Sequence, residues 1–223
     1  MAETIEKRAR KMMKEQTLVL IKPDALMRGI TCQILQRFEQ VGLKIVGIKI
    51  LRADHSRLEG HFPKSEEWII GMGKKTLETY TEYGLDPLET FGTRDPKALG
   101  EIIKQWNYDY LTMGPVIAVV LEGIHAIDTV RKFVGHTLPY RATPGTIRGD
   151  FSINSPDLAN IIGGACKNLI HASGNKEEAK QEIACWFSPD EIVSWERTDD
   201  FMTFLQGENT KQQQNKRKRN KEV

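Results

Sequence analysis

The sequence predicts an α+β domain in which a four-stranded antiparallel sheet carries helices on one face, in the order β-α-β-β-α-β. Four short apolar runs have the length of buried strands, and the first of them, TLVLIKPDA, is rich in β-branched residues. Two further segments show the three- and four-residue apolar spacing of amphipathic helices. The chain has 223 residues, of which 39% are hydrophobic and 28% charged, so we expect one domain with a packed core.

The first half of the chain supplies two strands and one long helix. The run TLVLIKPDA is a buried strand that Pro23 stops, because proline cannot donate a hydrogen bond to a sheet. In TCQILQRFEQVG the apolar side chains recur on one helical face, and Gly42 follows as a C-terminal stop. LKIVGIKILRA is the second strand, and DHSRLEGHF is a short helix with Asp54 as its N-cap.

The second half begins with a long connection and ends with two more strands. From Pro63 to about Asp109 we expect less regular structure, with helical pieces at KKTLETYTEYG and DPKALGEIIKQWN. GPVIAVVLEG is almost wholly apolar, which indicates a central third strand. HAIDTVRKFVG is the second amphipathic helix, with Ile127, Val130 and Val134 on one face. A Gly/Pro-rich loop and a polar stretch precede the short last strand, NLIHAS, and the helix KEEAKQEIACWF.

Composition and charge exclude several classes of protein. The net charge is +2, so the chain as a whole does not require a nucleic-acid or membrane partner. The three cysteines lie far apart without a CxxC pair, which argues against a disulfide framework or a zinc site and favours a reduced, cytoplasmic compartment. No window approaches the run of about 18 apolar residues that a membrane span requires.

The two ends of the chain differ from the predicted domain, which covers residues 16–206. Residues 1–15 form a charged extension that lacks the apolar segment of a secretory signal. Residues 207–223 are polar and basic, and we expect a disordered tail. The KRKR cluster at 216–219 would permit weak, non-specific contact with nucleic acid, whereas a solvated tail without a partner is the simpler interpretation.

Several polar residues near strand and helix ends form a candidate phosphate site: Lys22, Arg131, Thr137, Arg148 and Asn168. A lysine, two arginines, a hydroxyl and an amide are the groups that a multiply charged phosphate chain needs. Each of them alone also fits an ordinary solvated position. The chain has no GxxxxGK[ST] loop and no protein-kinase motif set. Bound phosphates would therefore be held by side chains and a loop, with a magnesium ion brought in on the nucleotide.

The stretch KNLIHASGN raises the question of what His171 does. A lone histidine beside apolar residues is more often structural than catalytic, and this stretch alone leaves both interpretations open. The chain as a whole resembles nucleoside diphosphate kinase, because TLVLIKPDAL, GPVIAVVLEG, PGTIRGDF, NLIHAS and EIACWF occur in that family's order. The resemblance covers nearly all of residues 16–190. It implies the ferredoxin-like βαββαβ sandwich, which agrees with the element order derived above.

The resemblance also implies a reaction and its residues. The family transfers the γ-phosphoryl group of a nucleoside triphosphate to a nucleoside diphosphate by a ping-pong mechanism, through a phosphohistidine that His171 matches. A neutral imidazole is a good nucleophile near pH 7. Glu182 matches the carboxylate that orients this ring, and Ser173 matches a serine beside it. The positions matching residues that contact phosphate and sugar are Lys22, Arg131, Thr137, Arg148 and Asn168. No residue is implied as a metal ligand, because Mg²⁺ arrives on the nucleotide.

Some positions depart from the family pattern. Phe62 stands where a tyrosine commonly follows the histidine, which puts one hydrogen bond in doubt. Gly174 replaces a frequent aspartate, and Ala172 replaces the commoner glycine. Trp68 is the candidate for the aromatic side chain that stacks on the nucleobase, although a core tryptophan is an equally good interpretation.

Two insertions distinguish the chain from the usual family length, at about 74–106 and 155–167. The family assembles from one kind of dimer into hexamers or tetramers, so a homo-oligomer is expected. The alternative function is a catalytically idle member that binds nucleotides or nucleic acid. The presence of His171, Lys22, Arg148 and Asn168 favours an active enzyme over that alternative.

Overall fold

The computed structural model of the chain describes residues 13–198. The chain divides into two compact units, residues 1–192 and 193–223. The described part of the second unit, residues 193–198, is irregular up to a single helical residue at its end. The predicted tail at 207–223 and most of the predicted extension at 1–15 lie outside the described residues.

The first unit follows the predicted alternation of strands and helices. Its elements are β1 (Lys14–Ile21), α1 (Pro23–Met27), α2 (Thr31–Gln40), β2 (Lys44–Leu51), α3 (His55–His61), α4 (Glu66–Glu82), α5 (Pro87–Phe91), α6 (Pro96–Thr112), β3 (Val116–Ile124), α7 (Ala126–Val134), α8 (Ile147–Phe151), α9 (Pro156–Ile161), β4 (Ile170–Ala172) and α10 (Lys176–Trp186), with 3-10 turns at Pro139–Arg141 and Pro189–Glu191.

The sheet has four strands in the order β2-β3-β1-β4, and every neighbouring pair is antiparallel. This confirms the predicted fold class, and it confirms that the apolar third strand is central. In β1, Val19 lies opposite Val119 of β3 on one side. On the other side Leu20 lies opposite His171 of β4. The strand pairing therefore brings the end of β1 next to the histidine, although 151 positions separate Leu20 from His171 in the sequence.

Helices cover both faces of the sheet. On one face, Val19 and Ile21 pack in a core with buried side chains from the predicted apolar faces of α2 and α7. The other face carries Leu18 and Leu20, which pack with residues of α3, α6 and α10 such as Trp186. The sequence predicted only the first layer. The second exists because β1 and β3 are apolar on both faces and would otherwise expose that surface to water.

The long connection between β2 and β3 is more regular than predicted. It contains two 17-residue helices, α4 and α6, in place of the two shorter pieces expected. Glycines let the helices touch: a methyl group at Gly73 would lie 1.8 Å from the carbonyl oxygen of Pro96, and one at Gly100 would lie 2.0 Å from that of Ile69. Within residues 13–198, no helix is long and apolar enough to cross a membrane.

Candidate active site

A cavity of about 680 Å³ lies beside the end of β1 and along β4, between α7, α10 and the start of α4. It brings together eight of the nine residues that the sequence predicted for the site: Lys22, Trp68, Arg131, Thr137, Arg148, Asn168, His171 and Glu182. The ninth, Ser173, is fully buried and reaches the site through Glu182. The residues come from five separate parts of the chain, so only the folded sheet gathers them.

The carboxylate of Glu182 orients the ring of His171. Nε2 of His171 lies 2.9 Å from Oε1 of Glu182, and Oγ of Ser173 donates to Oε2 at 2.6 Å. Glu182 is buried on α10, while His171 lies on β4 beneath it. Burial raises the pKa of Glu182, while His61 and the hydrogen bond from Ser173 lower it. With Glu182 ionised, its carboxylate can only accept, so the ring carries its proton at Nε2. The lone pair of the neutral ring is therefore at Nδ1, which is the nitrogen available for chemistry.

Burial and positive charge keep this histidine neutral. Desolvation of the ring, with Lys22 and Arg148 nearby, lowers the pKa of His171 to about 3. Burial, with Arg148 nearby, also lowers the pKa of Lys22 to about 8. Burial lowers the pKa of Arg148 to about 10, so its guanidinium stays charged at neutral pH. The site thus combines an uncharged imidazole with a concentration of cations, an arrangement suited to a nucleophile that attacks an anionic phosphorus centre.

Lys22 and Asn168 form a connected pair that lines the cavity. Nζ of Lys22 donates to Oδ1 of Asn168 at 2.7 Å, and Nδ2 of Asn168 donates to the carbonyl oxygen of Thr137 at 3.1 Å. Lys22 follows β1 directly and precedes Pro23, as the sequence predicted. Because Lys22 is held at the edge of the cavity, its ammonium group is presented to any anion that enters.

Arg148 makes backbone contacts that the sequence did not predict. Its guanidinium donates to three backbone carbonyl oxygens, those of Asn168 at 3.1 Å, Gly135 at 3.1 Å and Ile170 at 2.6 Å. The side chain therefore ties the loop after α7 to β4 while it lines the cavity. Arg131, by contrast, lies on the exposed side of α7 with its side chain at the cavity.

His61, which precedes Phe62, also lines the cavity and was not predicted as a site residue. Its ring stands edge-on to that of His171, with 4.5 Å between ring centroids, and its Nδ1 accepts from Nε1 of Trp186 at 3.4 Å. Burial lowers the pKa of His61 to about 3, so it too is neutral. No local pattern could have indicated this contact, because it is made between α3, β4 and α10.

Aromatic rings form one wall of the cavity. Phe62 and Trp68 stack with ring centroids 5.8 Å apart and an interplanar angle of 30°. Both line the cavity, and Trp68 is half-buried in the first turn of α4. Asn107 of α6 lines the same wall and was not predicted. The helical connection between β2 and β3 therefore contributes side chains to the site.

One group of side chains in the cavity lies close enough together to share a metal ion. Among residues 13–198, the one group of histidine, cysteine and carboxylate side chains close enough to share an ion is His61, His171 and Glu182. That group has a single carboxylate and would occupy the histidine, whereas Mg²⁺ prefers several oxygen ligands.

The fold and the cavity together place a neutral histidine among cationic side chains, an arrangement suited to phosphoryl transfer. The sequence matches the family model described as "Nucleoside diphosphate kinase" over residues 15–69 and 104–192. The matched ranges leave out residues 70–103, which overlap the first predicted insertion. They include residues 155–167, where the second was predicted.

Individual relatives agree with this match. A nucleoside diphosphate kinase from Pyrobaculum aerophilum is 48% identical over 179 residues, covering 80% of this chain and 98% of the relative. One from Pyrococcus furiosus is 37% identical over 187 residues, covering 84% of this chain and 91% of the relative. The crystal structure of an NDP kinase from P. aerophilum gives a TM-score of 0.78 at 46% identity, covering 81% of this chain and all of that one.

A further solved structure is a transition-state mimic of the nucleoside-diphosphate kinase from Borrelia burgdorferi with bound vanadate and ADP. It gives a TM-score of 0.68 at 32% identity and covers 86% of this chain and 97% of that one. The chain belongs to the nucleoside diphosphate kinase family. It is an enzyme that transfers the γ-phosphoryl group of a nucleoside triphosphate to a nucleoside diphosphate, as the motifs predicted, and an idle binding protein is not favoured.

Proposed function

We propose that the transfer proceeds in two half-reactions through a phosphohistidine at Nδ1 of His171. The Nδ1 lone pair attacks the γ-phosphorus of the triphosphate, a P–N bond forms, and the bond to the bridging oxygen breaks so that the diphosphate leaves. A second diphosphate then attacks with a terminal oxygen and restores the free imidazole. The observation that carries this proposal is the 2.9 Å contact between His171 Nε2 and Glu182, which leaves Nδ1 as the free nitrogen of a neutral ring.

The polar groups around His171 bind and orient the phosphate chain. Lys22 and Arg148 place positive charge at the end of the cavity where the γ-phosphoryl group moves, and Asn168 holds the ammonium of Lys22. Arg131 and Thr137, at the exposed side of the cavity, contact the remaining phosphates and the sugar. Positioning and charge stabilisation of this kind supply most of the catalysis in phosphoryl transfer. The Borrelia structure with vanadate and ADP supports a shared site for nucleotide and moving phosphoryl group.

Trp68 is the side chain that we assign to the nucleobase. Its ring is backed by Phe62, and both rings face the cavity that holds His171. A stacked pair offers a flat apolar surface that favours no particular base edge, so broad use of nucleobases is expected. Mg²⁺ enters as part of the substrate, bound to the phosphate oxygens of the nucleotide, and neutralises part of their charge.

We also propose that the chain forms homo-oligomers, hexamers or tetramers, in the cytoplasm. β2 is an edge strand of the sheet, and it exposes Ile48 and Ile50 on one side. An exposed apolar edge is a surface that a second copy would cover. The free thiols Cys32, Cys166 and Cys185 support a reduced compartment. Mass photometry of the wild type and of Ile48→Lys tests the assembly, because a charged side chain in the surface that a second copy covers should leave smaller species.

Incubation with γ-labelled ATP tests the mechanism. The wild type should become labelled, and the label should be labile to acid and stable to base, as expected for phosphohistidine. His171→Ala should remain unlabelled and lose nucleotide kinase turnover, with an unchanged circular dichroism spectrum. Double-reciprocal plots should be parallel, because one site binds donor and acceptor in turn. Turnover of His171→Ala within tenfold of the wild type would contradict the proposal.

A further inference from the structure

A strained turn lies directly before the active-site strand. The amide of Ile170 donates to the carbonyl oxygen of Asn168 at 2.8 Å, which closes a three-residue turn around Leu169. Leu169 has φ of 70°, a value that residues other than glycine rarely adopt. Asn168, the first residue of this turn, holds the ammonium of Lys22 at 2.7 Å. Conformations of this kind cost free energy and persist only where the surroundings impose them.

Two buried side chains hold the turn through its amides, whereas Arg148 binds carbonyl oxygens of the same segment. The hydroxyl of Tyr110 accepts from the amide of Asn168 at 3.2 Å and donates to Oδ1 of Asp24 at 2.6 Å. The other carboxylate oxygen, Oδ2 of Asp24, accepts from the amide of Leu169 at 3.2 Å. The amides of Asn168 and Leu169 therefore both donate to the Asp24–Tyr110 pair. The ring of Tyr110 also lies under Lys22, with Nζ 5.1 Å from its centroid.

We infer that Asp24 and Tyr110 are positioning residues, which hold the Asn168–Leu169 turn so that Asn168 and Lys22 meet the phosphate chain at one geometry. Neither residue lines the cavity that holds His171, so they act through the turn and do not touch substrate. The arrangement resists relaxation because both side chains are buried, where an unpaired amide or carboxylate would be costly. Small displacements matter here, since an error of about 1 Å in a catalytic group can cost roughly 100-fold in rate.

A purely structural role for the Tyr110 hydroxyl makes a different prediction, and the chain offers a matched control. Tyr80 of α4 is also buried, and its hydroxyl donates to the backbone carbonyl oxygen of Asn160 in α9 at 3.3 Å. Tyr110→Phe and Tyr80→Phe each remove one buried hydroxyl, so they should lower the melting temperature by similar amounts. If the inference is correct, only Tyr110→Phe slows the chemistry.

The test measures the single-turnover rate of protein phosphorylation by γ-labelled ATP, in the wild-type and Asn168→Ala backgrounds. Tyr110→Phe should lower this rate at least fivefold, whereas Tyr80→Phe should change it less than twofold. In the Asn168→Ala background the fold loss from Tyr110→Phe should be at least threefold smaller, because the residue through which it acts is already gone. A loss below fivefold, or a loss that is not reduced to this extent in that background, overturns the inference.

Two further measurements keep the test decisive. If Tyr110→Phe fails to fold, Asp24→Asn replaces it. The asparagine side chain has the shape of aspartate but only one acceptor oxygen, so it cannot accept from both the amide of Leu169 and the hydroxyl of Tyr110. The same thresholds then apply. The inference rests on the proposed role of His171, so His171→Ala is labelled in parallel. If His171→Ala becomes labelled, the proposed function is refuted. If His171→Ala stays unlabelled but Tyr110→Phe is phosphorylated at the wild-type rate, only the positioning role is refuted.

Discussion

Replacing Glu182 by alanine should slow phosphorylation of His171 without removing the nucleophile. The carboxylate accepts from His171 Nε2 at 2.9 Å and from Ser173 Oγ at 2.6 Å, and all of Glu182 except about 5% is buried. Alanine leaves both donors without that partner and lets the ring rotate or exchange its proton to Nδ1. A hydrogen bond to a charged group contributes about 1.5–3 kcal/mol. At about 1.4 kcal/mol for each factor of ten, we expect a loss of roughly 10- to 150-fold in rate.

Glutamine at the same position separates hydrogen bonding from charge. Glu182→Gln can still accept from His171 Nε2 through its oxygen, and its amide can donate to Ser173 Oγ. Ser173 in turn can donate to the carbonyl oxygen of Leu18, which lies 3.5 Å away. The ring therefore keeps its orientation and its Nε2 proton, and only the negative charge that stabilises the developing phosphohistidine is lost. We expect this variant to be clearly faster than Glu182→Ala and slower than the wild type.

Rapid-quench measurement with γ-labelled ATP gives the phosphorylation rate directly, without the later steps of turnover. Glu177→Gln is the control, because Glu177 is exposed on the same helix. It removes one negative charge without touching the site and should have the wild-type rate. A rate for Glu182→Ala within threefold of the wild type would refute the assignment of the proton to Nε2. Equal rates for Glu182→Ala and Glu182→Gln would refute the claim that the hydrogen bond to His171 and the negative charge contribute separately.

The remaining predictions concern one cation and one helix contact. The pKa of Lys22 is about 8, so kcat/KM should fall as pH rises through that value. In Lys22→Arg this fall in the pH profile should occur at higher pH, because a guanidinium keeps its proton. Lys22→Ala should cost about 2–4 kcal/mol of transition-state stabilisation, measured as kcat/KM at pH 7. Gly73→Ala should lower the melting temperature strongly, because its methyl group would overlap Pro96, whereas Gly71→Ala on the same helix meets open space and should be neutral or stabilising.

Local patterns in the sequence determined the elements of the fold and much of the site. The apolar run of β3 predicted a central strand, and the apolar faces of α2 and α7 predicted the helices that cover one side of the sheet. The motif around His171 and the lysine before Pro23 identified residues that do line one cavity. These features could be predicted because periodicity and motif spacing are recorded within a few neighbouring residues.

Tertiary structure alone decided the contacts that make the site work. Nothing local in the sequence indicates that His61 stands against His171, that Arg148 binds three backbone carbonyls, or that Tyr110 supports the turn at Leu169. The same holds for the second helical layer, whose side chains meet β1 from distant parts of the chain. Such contacts depend on how strands pair and helices pack, so they follow from the register of β1 with β4 and not from sequence spacing. The residue types of the chemistry are therefore set by the sequence, whereas the proton on Nε2, the neutral ring and the aim of Lys22 arise only when burial and pairing bring those residues together.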